Sequence, residues 1–297
     1  MKIESTKIPI KERSSIVFLQ YGNIDVKDGA FLLINKEQIK TKIPVANLTC
    51  LMLEPGTRIS HAAISLAAEV GCLINWVGEA GVRLYSSGRA GGARADKLLY
   101  QAKLALDDSA RLKIVKAMYN FRFKEQMPQK RSIEQLRGLE GIRVKEQYKN
   151  LSKEYNITWN GRNYDRNDFY STDNINICIS VANHCLYGIC ESAILIAGYS
   201  SAIGFIHTGK PLSFVYDIAD LFKFDTVIPI AFKIASGRSN DLSKDVRIAC
   251  RDSFRKYRLL DKTIPTIEEI LNCGGILKPK PHIEAIEIAI PNEEELC

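Results

Sequence analysis

The chain has 297 residues, 46% hydrophobic and 25% charged, with a net charge of +7. That balance is that of an ordinary folded protein with room for two domains, and it excludes a disordered or fibrous chain. The N-terminus MKIESTKIPIKERSS is too polar for a signal peptide, and no apolar run reaches membrane-spanning length without a polar break, so a cytoplasmic protein with no membrane role is expected.

From residue 14 to about 86 the pattern is that of strands. SIVFLQY, AFLLI, QIKTKIPV, LTCLML, CLINWV and GVRLY are short β-branched or aromatic runs, parted by turn pairs at Gly22-Asn23, Asp28-Gly29 and Asn35-Lys36. One helix interrupts them, from Ser60 as N-cap to Gly71 as stop. Residues 87–95, rich in glycine and small side chains, read as a hinge. Beyond it the apolar period changes to 3.6, with helices expected at 96–106, 109–124, 131–154, 174–197, 212–223, 227–236, 243–260 and 265–272. The expected class is therefore α+β: a small, mostly β N-terminal domain (1–86), the hinge, a larger all-helical domain (96–280) and an acidic tail (281–297). The polar, aromatic stretch from Trp159 to Thr172 has no clear period. The eight cysteines form no C-x-x-C pair and most lie in apolar segments, which reads as reduced core thiols.

Charge is regional. Residues 94–153 carry fifteen Lys or Arg against seven acids, a local +8, which suits a polyanionic partner or a solvated lysine-rich surface equally. In the helix DVRIACRDSFRKYRLL, Arg247, Arg251, Arg255 and Arg258 fall on one face, with Cys250, Phe254, Tyr257 and Leu260 expected toward the core. Like charges at that spacing repel unless a polyanion passes along them.

Two places could carry chemistry. In HTGKPLSFVYDIADLFK, Pro211 suits a first helical position, and Asp217 and Asp220 then share a face just after His207. Both could face water, or a divalent cation could lie between them. The preceding GFIHTGK has P-loop spacing, but Pro211 stands where a P-loop needs Ser or Thr, so no nucleotide site is expected. In RSIEQLRGLEGIRVKEQY, Glu140 falls within an apolar stripe of Ile133, Leu136, Val144 and Tyr148. A carboxylate aimed at a core needs a proton, an arginine such as Arg137 or Arg143, or a metal.

The motifs FLQYGNIDVKDGAF, LEPGTRISHAA, NWVGEAGVRLY, GGARADKLLYQAKLALD, EQLRGLEG, IGFIHTGKPLSFVYDIADLFKFDTV and VRIACRD, in that order, resemble the CRISPR-associated integrase-endonuclease family that inserts new spacers, in its type I-E form. The resemblance implies a β-rich homodimerising N-terminal domain and a helical catalytic domain. It implies metal ligands at Glu140, His207 and Asp220 for Mg²⁺ or Mn²⁺, with Asp217 and Lys210 nearby in the catalytic set. By the same resemblance Tyr21 is an aromatic wedge against a duplex end, and Arg58, Arg83, Lys210, Arg247 and Arg251 line a path for double-stranded and branched DNA, the protospacer and the CRISPR repeat. A small dimeric adaptation protein is the implied partner. The tail after about residue 276 departs from the family. The implied reactions are hydrolysis and transesterification of phosphodiesters. The alternatives are a binding scaffold for branched DNA without chemistry and a general metal phosphodiesterase.

Overall fold

The computed structural model describes residues 15–45, 48–88, 95–128, 130–162 and 173–279. Most of the expected hinge, the tail after 280 and residues 163–172 of the Trp159–Thr172 stretch lie outside them. In chain order the described residues form β1 (Ser15–Leu19), β2 (Gly22–Lys27), β3 (Ala30–Ile34), β4 (Lys40–Ile43), β5 (Leu48–Leu53), β6 (Thr57–Ile59), α1 (His61–Val70), β7 (Leu73–Val77) and β8 (Leu84–Ser87). Helices follow: α2 (Asp96–Leu106), α3 (Asp108–Phe123), α4 (Ile133–Glu154), α5 (Asn174–Ile196), α6 (Ser213–Thr226), α7 (Ile228–Ala235), α8 (Leu242–Tyr257) and α9 (Leu259–Asn272). A strand-rich region thus precedes a helical one, in an α+β chain. Two compact units result, one holding the described residues up to 78 with 84–88, the other Glu79–Arg83 and Lys97–Lys278.

In the strand-bearing unit one sheet runs β1-β5-β7-β8 and the other β4-β3-β2-β6. β1, β5 and β7 pair in parallel, and β8 returns antiparallel to β7. The inner strand β5 is apolar on both faces, with Cys50, Leu51 and Met52 all buried, as a strand between parallel neighbours requires. α1 is capped as its sequence predicts: Ser60 Oγ accepts from Ala63 N at 3.2 Å, and Gly71 takes the left-handed conformation at φ 71°. Its inner face, Ala63 and Ala67, packs with Ile24, Phe31, Leu51 and Ile74 in one core.

Gly22-Asn23, read from the sequence as a turn, instead opens β2, which pairs antiparallel with β3 and parallel with β6. GNIDVK begins with turn-forming residues and offers only two apolar side chains, too few to announce a strand. The three-residue β6 gives no periodic signal at all. Neither pairing was visible in the local pattern.

In the helical unit α5 is the hub, packed on α6, α7, α8 and α9. Its 23 residues and mean hydropathy of 1.4 match a membrane-crossing helix in length and composition, but 67% of that window is buried against its own neighbours. Gly188 of α5 permits a close approach. A Cβ there would lie 2.6 Å from Arg83 Cα and 2.8 Å from Arg83 N, so the backbone of the Glu79–Arg83 segment rests directly on the helix.

The helix expected at 243–260 ends early. Arg258 takes φ 48°, and α9 starts at Leu259 and runs through Pro265, where the second helix was expected to begin. Tyr257, the last residue of α8, is exposed instead of reaching the core, while Leu260 beyond the break is buried as expected.

Candidate functional site

The segment before α6 is fixed by one carboxylate. Asp217 is fully buried, its Oδ2 accepting from the backbone N–H of Phe205 at 2.6 Å and Ile206 at 3.1 Å. Its Oδ1 accepts from His207 N at 2.9 Å and from His207 Nδ1 at 2.7 Å. Four donors converge on two oxygens, so the charge of Asp217 is satisfied without a metal. Since Nδ1 donates, the nitrogen left to face outward is Nε2. The His207 pKa is raised: the bond that its ring donates to Asp217 is the largest cause, burial opposes it, and the charges of Asp217, Asp220 and Glu140 add to it.

Pro211 does not begin the helix. Lys210–Ser213 forms a turn first, in which Ser213 Oγ accepts from Lys210 N at 3.0 Å and donates to Lys210 O at 2.9 Å, so α6 starts two residues later than Pro211 suggests. Lys210 is exposed, its Nζ 6.0 Å from the Tyr216 ring, and that ring lies edge-on to His207. Gly204 lets the segment fold this tightly, since a Cβ there would lie 2.2 Å from His207 O. Asp217 and Asp220, three residues apart, thus part ways: one turns to the His207 backbone, the other toward α3.

Glu140 on α4 does require a partner, and its partner is Arg122 of α3. The Arg122 Nη1 hydrogen-bonds Glu140 Oε1, while Tyr119 OH donates to Glu140 Oε2 at 2.9 Å. The same Nη1 lies 3.7 Å from Asp220 Oδ2, and Lys223 Nζ stands 3.6 Å from Asp220 Oδ1. Burial first, and then the charge and bond of Glu140, push the Tyr119 hydroxyl far above its ordinary pKa, so it remains a donor. The arginines expected for Glu140, Arg137 and Arg143, are not used: Arg137 is exposed and Arg143 pairs with Glu125 at 2.5 Å. Sequence reading missed Arg122 and Tyr119. The signal present was the apolar face of α3, on which Tyr119 sits next to Met118.

Glu140 and Asp220 therefore share one cationic nitrogen, and His207 lies within the field of both. Among the described residues no three His, Cys, Asp or Glu side chains come together closely enough to hold a metal ion. The chemistry of the donors still fits a hard divalent ion, with two carboxylates already drawn toward one positive charge and one imidazole with its Nε2 turned away from Asp217.

The basic residues fall in both units. In the strand-bearing unit Arg58 is exposed on β6, and Tyr21, between β1 and β2, is 46% exposed with φ 52°. Lys36 Nζ sits 5.2 Å from its ring centroid, and Gly56 leaves room for the ring, since a Cβ there would fall 2.4 Å from Tyr21 Cδ1. In the helical unit Arg83 is exposed, and Arg247 is half-buried on α8. Arg251 pairs with Glu79 at 2.8 Å and Asp252 at 2.9 Å, and Arg258 with Asp261 at 2.7 Å. The expected unbroken arginine face is corrected on two counts: Arg258 lies past the helix end, and Arg251 is neutralised from a distant segment.

Comparison with known proteins agrees with the motifs. A family model described as CRISPR associated protein Cas1 matches residues 16–127 and 121–251. The CRISPR-associated endonuclease Cas1 of Escherichia coli K12 is 60% identical over 284 residues, covering 96% of this chain and 93% of the relative. That of Geobacter sulfurreducens is 58% identical over 287 residues, covering 97% and 94%. A solved structure described as a TtCas1-DNA complex is 39% identical, covers 89% of this chain and 97% of its own, and superposes with a TM-score of 0.80. The chain belongs to the Cas1 family of CRISPR-associated proteins.

Proposed function

We propose that the protein is a divalent-metal-dependent DNA endonuclease and integrase of CRISPR adaptation. In this reading Glu140, His207 and Asp220 hold Mg²⁺ or Mn²⁺, and the substrates are double-stranded and branched DNA, a protospacer and the CRISPR repeat. The observation that carries it is the meeting of Glu140 and Asp220 on a single positive charge beside an imidazole whose orientation Asp217 dictates. The relatives, named as endonucleases, and a structural neighbour solved with DNA support the same reading.

When bound, the ion would polarise a scissile phosphate and lower the pKa of the attacking hydroxyl. The chain's own residues supply the rest. Asp217 holds His207 in the tautomer that presents Nε2, and Tyr119 keeps Glu140 turned inward. Lys210, exposed beside Tyr216, is assigned the neutralisation of a non-bridging phosphate oxygen. With water as nucleophile one P–O bond forms and one breaks, trimming DNA. With a DNA 3′-OH the same exchange joins the protospacer to the repeat and releases a new 3′-OH, so no ATP is consumed.

Arg58, Arg83, Arg247 and Arg251 are assigned to backbone contacts, and Tyr21 to bracing a duplex end. Assembly as a homodimer through the strand-bearing unit, together with a small dimeric adaptation protein, completes the proposal.

The test is strand joining between a protospacer with free 3′-OH ends and a supercoiled plasmid bearing the repeat, with the partner protein and Mg²⁺ or Mn²⁺. Joined product is expected with wild type, and a loss of at least about a thousandfold for Asp220→Ala and Glu140→Gln. Joining that survives both substitutions, or its absence under every metal condition, sinks the assignment in favour of a DNA-binding scaffold.

A further inference from the structure

We propose that Arg122 is a built-in competitor of the divalent cation, its guanidinium holding the place between Glu140 and Asp220 that the ion must take. The inference rests on the metal reading above and adds to it a residue that sets how tightly the ion binds.

Arg122 has only 6% of its side chain exposed, against 18% for Glu140 and 19% for Asp220. A buried guanidinium that serves as a permanent lock uses both prongs of its fork and fills all its donors. Among the described residues Arg122 does neither. One nitrogen, Nη1, serves both carboxylates, with Asp220 at 3.7 Å, beyond hydrogen-bond reach. Among the described residues its buried Nε finds no hydrogen-bond partner. Such a hold neutralises two acids yet leaves donors unspent, so the stabilisation lost when it lets go is smaller than for a saturated pair.

The surroundings offer the guanidinium another support. Its carbon lies 5.2 Å from the Phe123 ring centroid and 5.9 Å from that of Phe224. A planar, weakly hydrated cation can rest on such faces without carboxylate contact. Glu140 would not swing free, because Tyr119 OH stays on Oε2. Asp220 would keep Lys223 near its other oxygen. The two carboxylates therefore stay in place while one cation replaces another. Arg122 cannot lose its proton at accessible pH, so the competition is fixed by geometry and by ion concentration.

The experiment measures Mn²⁺ affinity of the full-length chain without DNA, by calorimetry and by electron paramagnetic resonance of free Mn²⁺. Arg122→Gln keeps a polar side chain and removes the charge, so its Kd should fall at least about tenfold, with a larger Mn²⁺-induced rise in Tm than wild type. Arg122→Lys, which keeps the charge, should stay within about threefold of wild type. Unchanged or weaker binding by Arg122→Gln, or an equal gain by Arg122→Lys, overturns the inference while wild-type binding leaves the metal reading standing. Absence of Mn²⁺ binding in both wild type and Arg122→Gln overturns both. Should Arg122→Gln fail to fold, ¹⁵N spectra of the arginine side chains in wild type report the same event. One Nε–H signal should move as Mg²⁺ is added, and a spectrum in which none moves rejects the inference.

Discussion

The imidazole of His207 is held by Asp217 through a 2.7 Å bond from Nδ1 to Oδ1, and the same carboxylate accepts the backbone N–H groups of Phe205, Ile206 and His207. Asp217 thus acts on His207 twice, through its ring and through its chain. Asp217→Asn keeps the shape but offers one acceptor oxygen and turns an NH₂ toward backbone donors. Loss of about 2–3 kcal/mol in urea unfolding is expected, with strand joining down at least about tenfold. An Asn variant as stable and as active as wild type would show that Asp217 has no ordering role.

Tyr21 combines a left-handed backbone, which costs a non-glycine residue about 1–2 kcal/mol, with a ring half in solvent. Such strain, kept at an exposed aromatic, suits a side chain retained for contact with a ligand and not for stability. Tyr21→Asn relieves the backbone while losing the ring contact with Lys36. Its stability should therefore match or exceed wild type to within about 1 kcal/mol, while affinity for forked duplex ends falls several-fold. Equal binding of forked and blunt duplex by wild type and variant would remove the bracing role.

Arg251 meets Glu79 at 2.8 Å, from a segment far away in sequence. If Arg251 contacts phosphate, Glu79 is its competitor. Glu79→Gln should then tighten duplex binding, and the slope of log K against log salt should steepen by about 0.9, the worth of one added phosphate contact. A slope unchanged by the substitution would mean that Arg251 serves the fold alone.

Glu268 on α9 receives Lys97 at 2.7 Å and also Lys278. Burial raises its pKa, but the bonds and charges of Lys278 and Lys97 together outweigh burial and hold it below its ordinary value. A carboxyl depressed in the folded state stabilises above its unfolded pKa and loses that contribution as pH falls through the folded one. The stability gap between wild type and Glu268→Gln, expected under about 1 kcal/mol for so partly exposed a group, should be full at pH 7 and close as the pH falls below about 4. Urea midpoints at pH 7, 5 and 3 measure it, and a gap that widens in acid would contradict the assignment.

The helices were readable because their apolar faces repeat with a strong period and their ends carry local signals, as at Ser60 and Gly71. β2 was not, since its opening Gly22-Asn23 is turn chemistry locally and becomes strand only through pairing with β3 and β6. In the site, the sequence could say that Glu140 on an apolar stripe needs a proton, an arginine or a metal, because burial of a charge is costly wherever it happens. It could not name Arg122, which arrives from another helix. Arg137 and Arg143, its neighbours on α4, were expected for that reason. The four hydrogen bonds that Asp217 accepts from Phe205, Ile206 and His207 were equally hidden, because nothing in HTGKPLSFVYD distinguishes a carboxylate that binds backbone from one that faces water.

The close approach at Gly188 bears on how the protein can be dissected. The Glu79–Arg83 segment rests on α5 and supplies the acid for Arg251, although the chain before and after it belongs to the strand-bearing unit. A recombinant fragment starting at Lys97 would retain α3 to α9 and still bare the strip of α5 around Gly188. Separate halves would therefore be poor stand-ins for the intact polypeptide, and chimaeras joined at the glycine-rich stretch would inherit a mismatched strap.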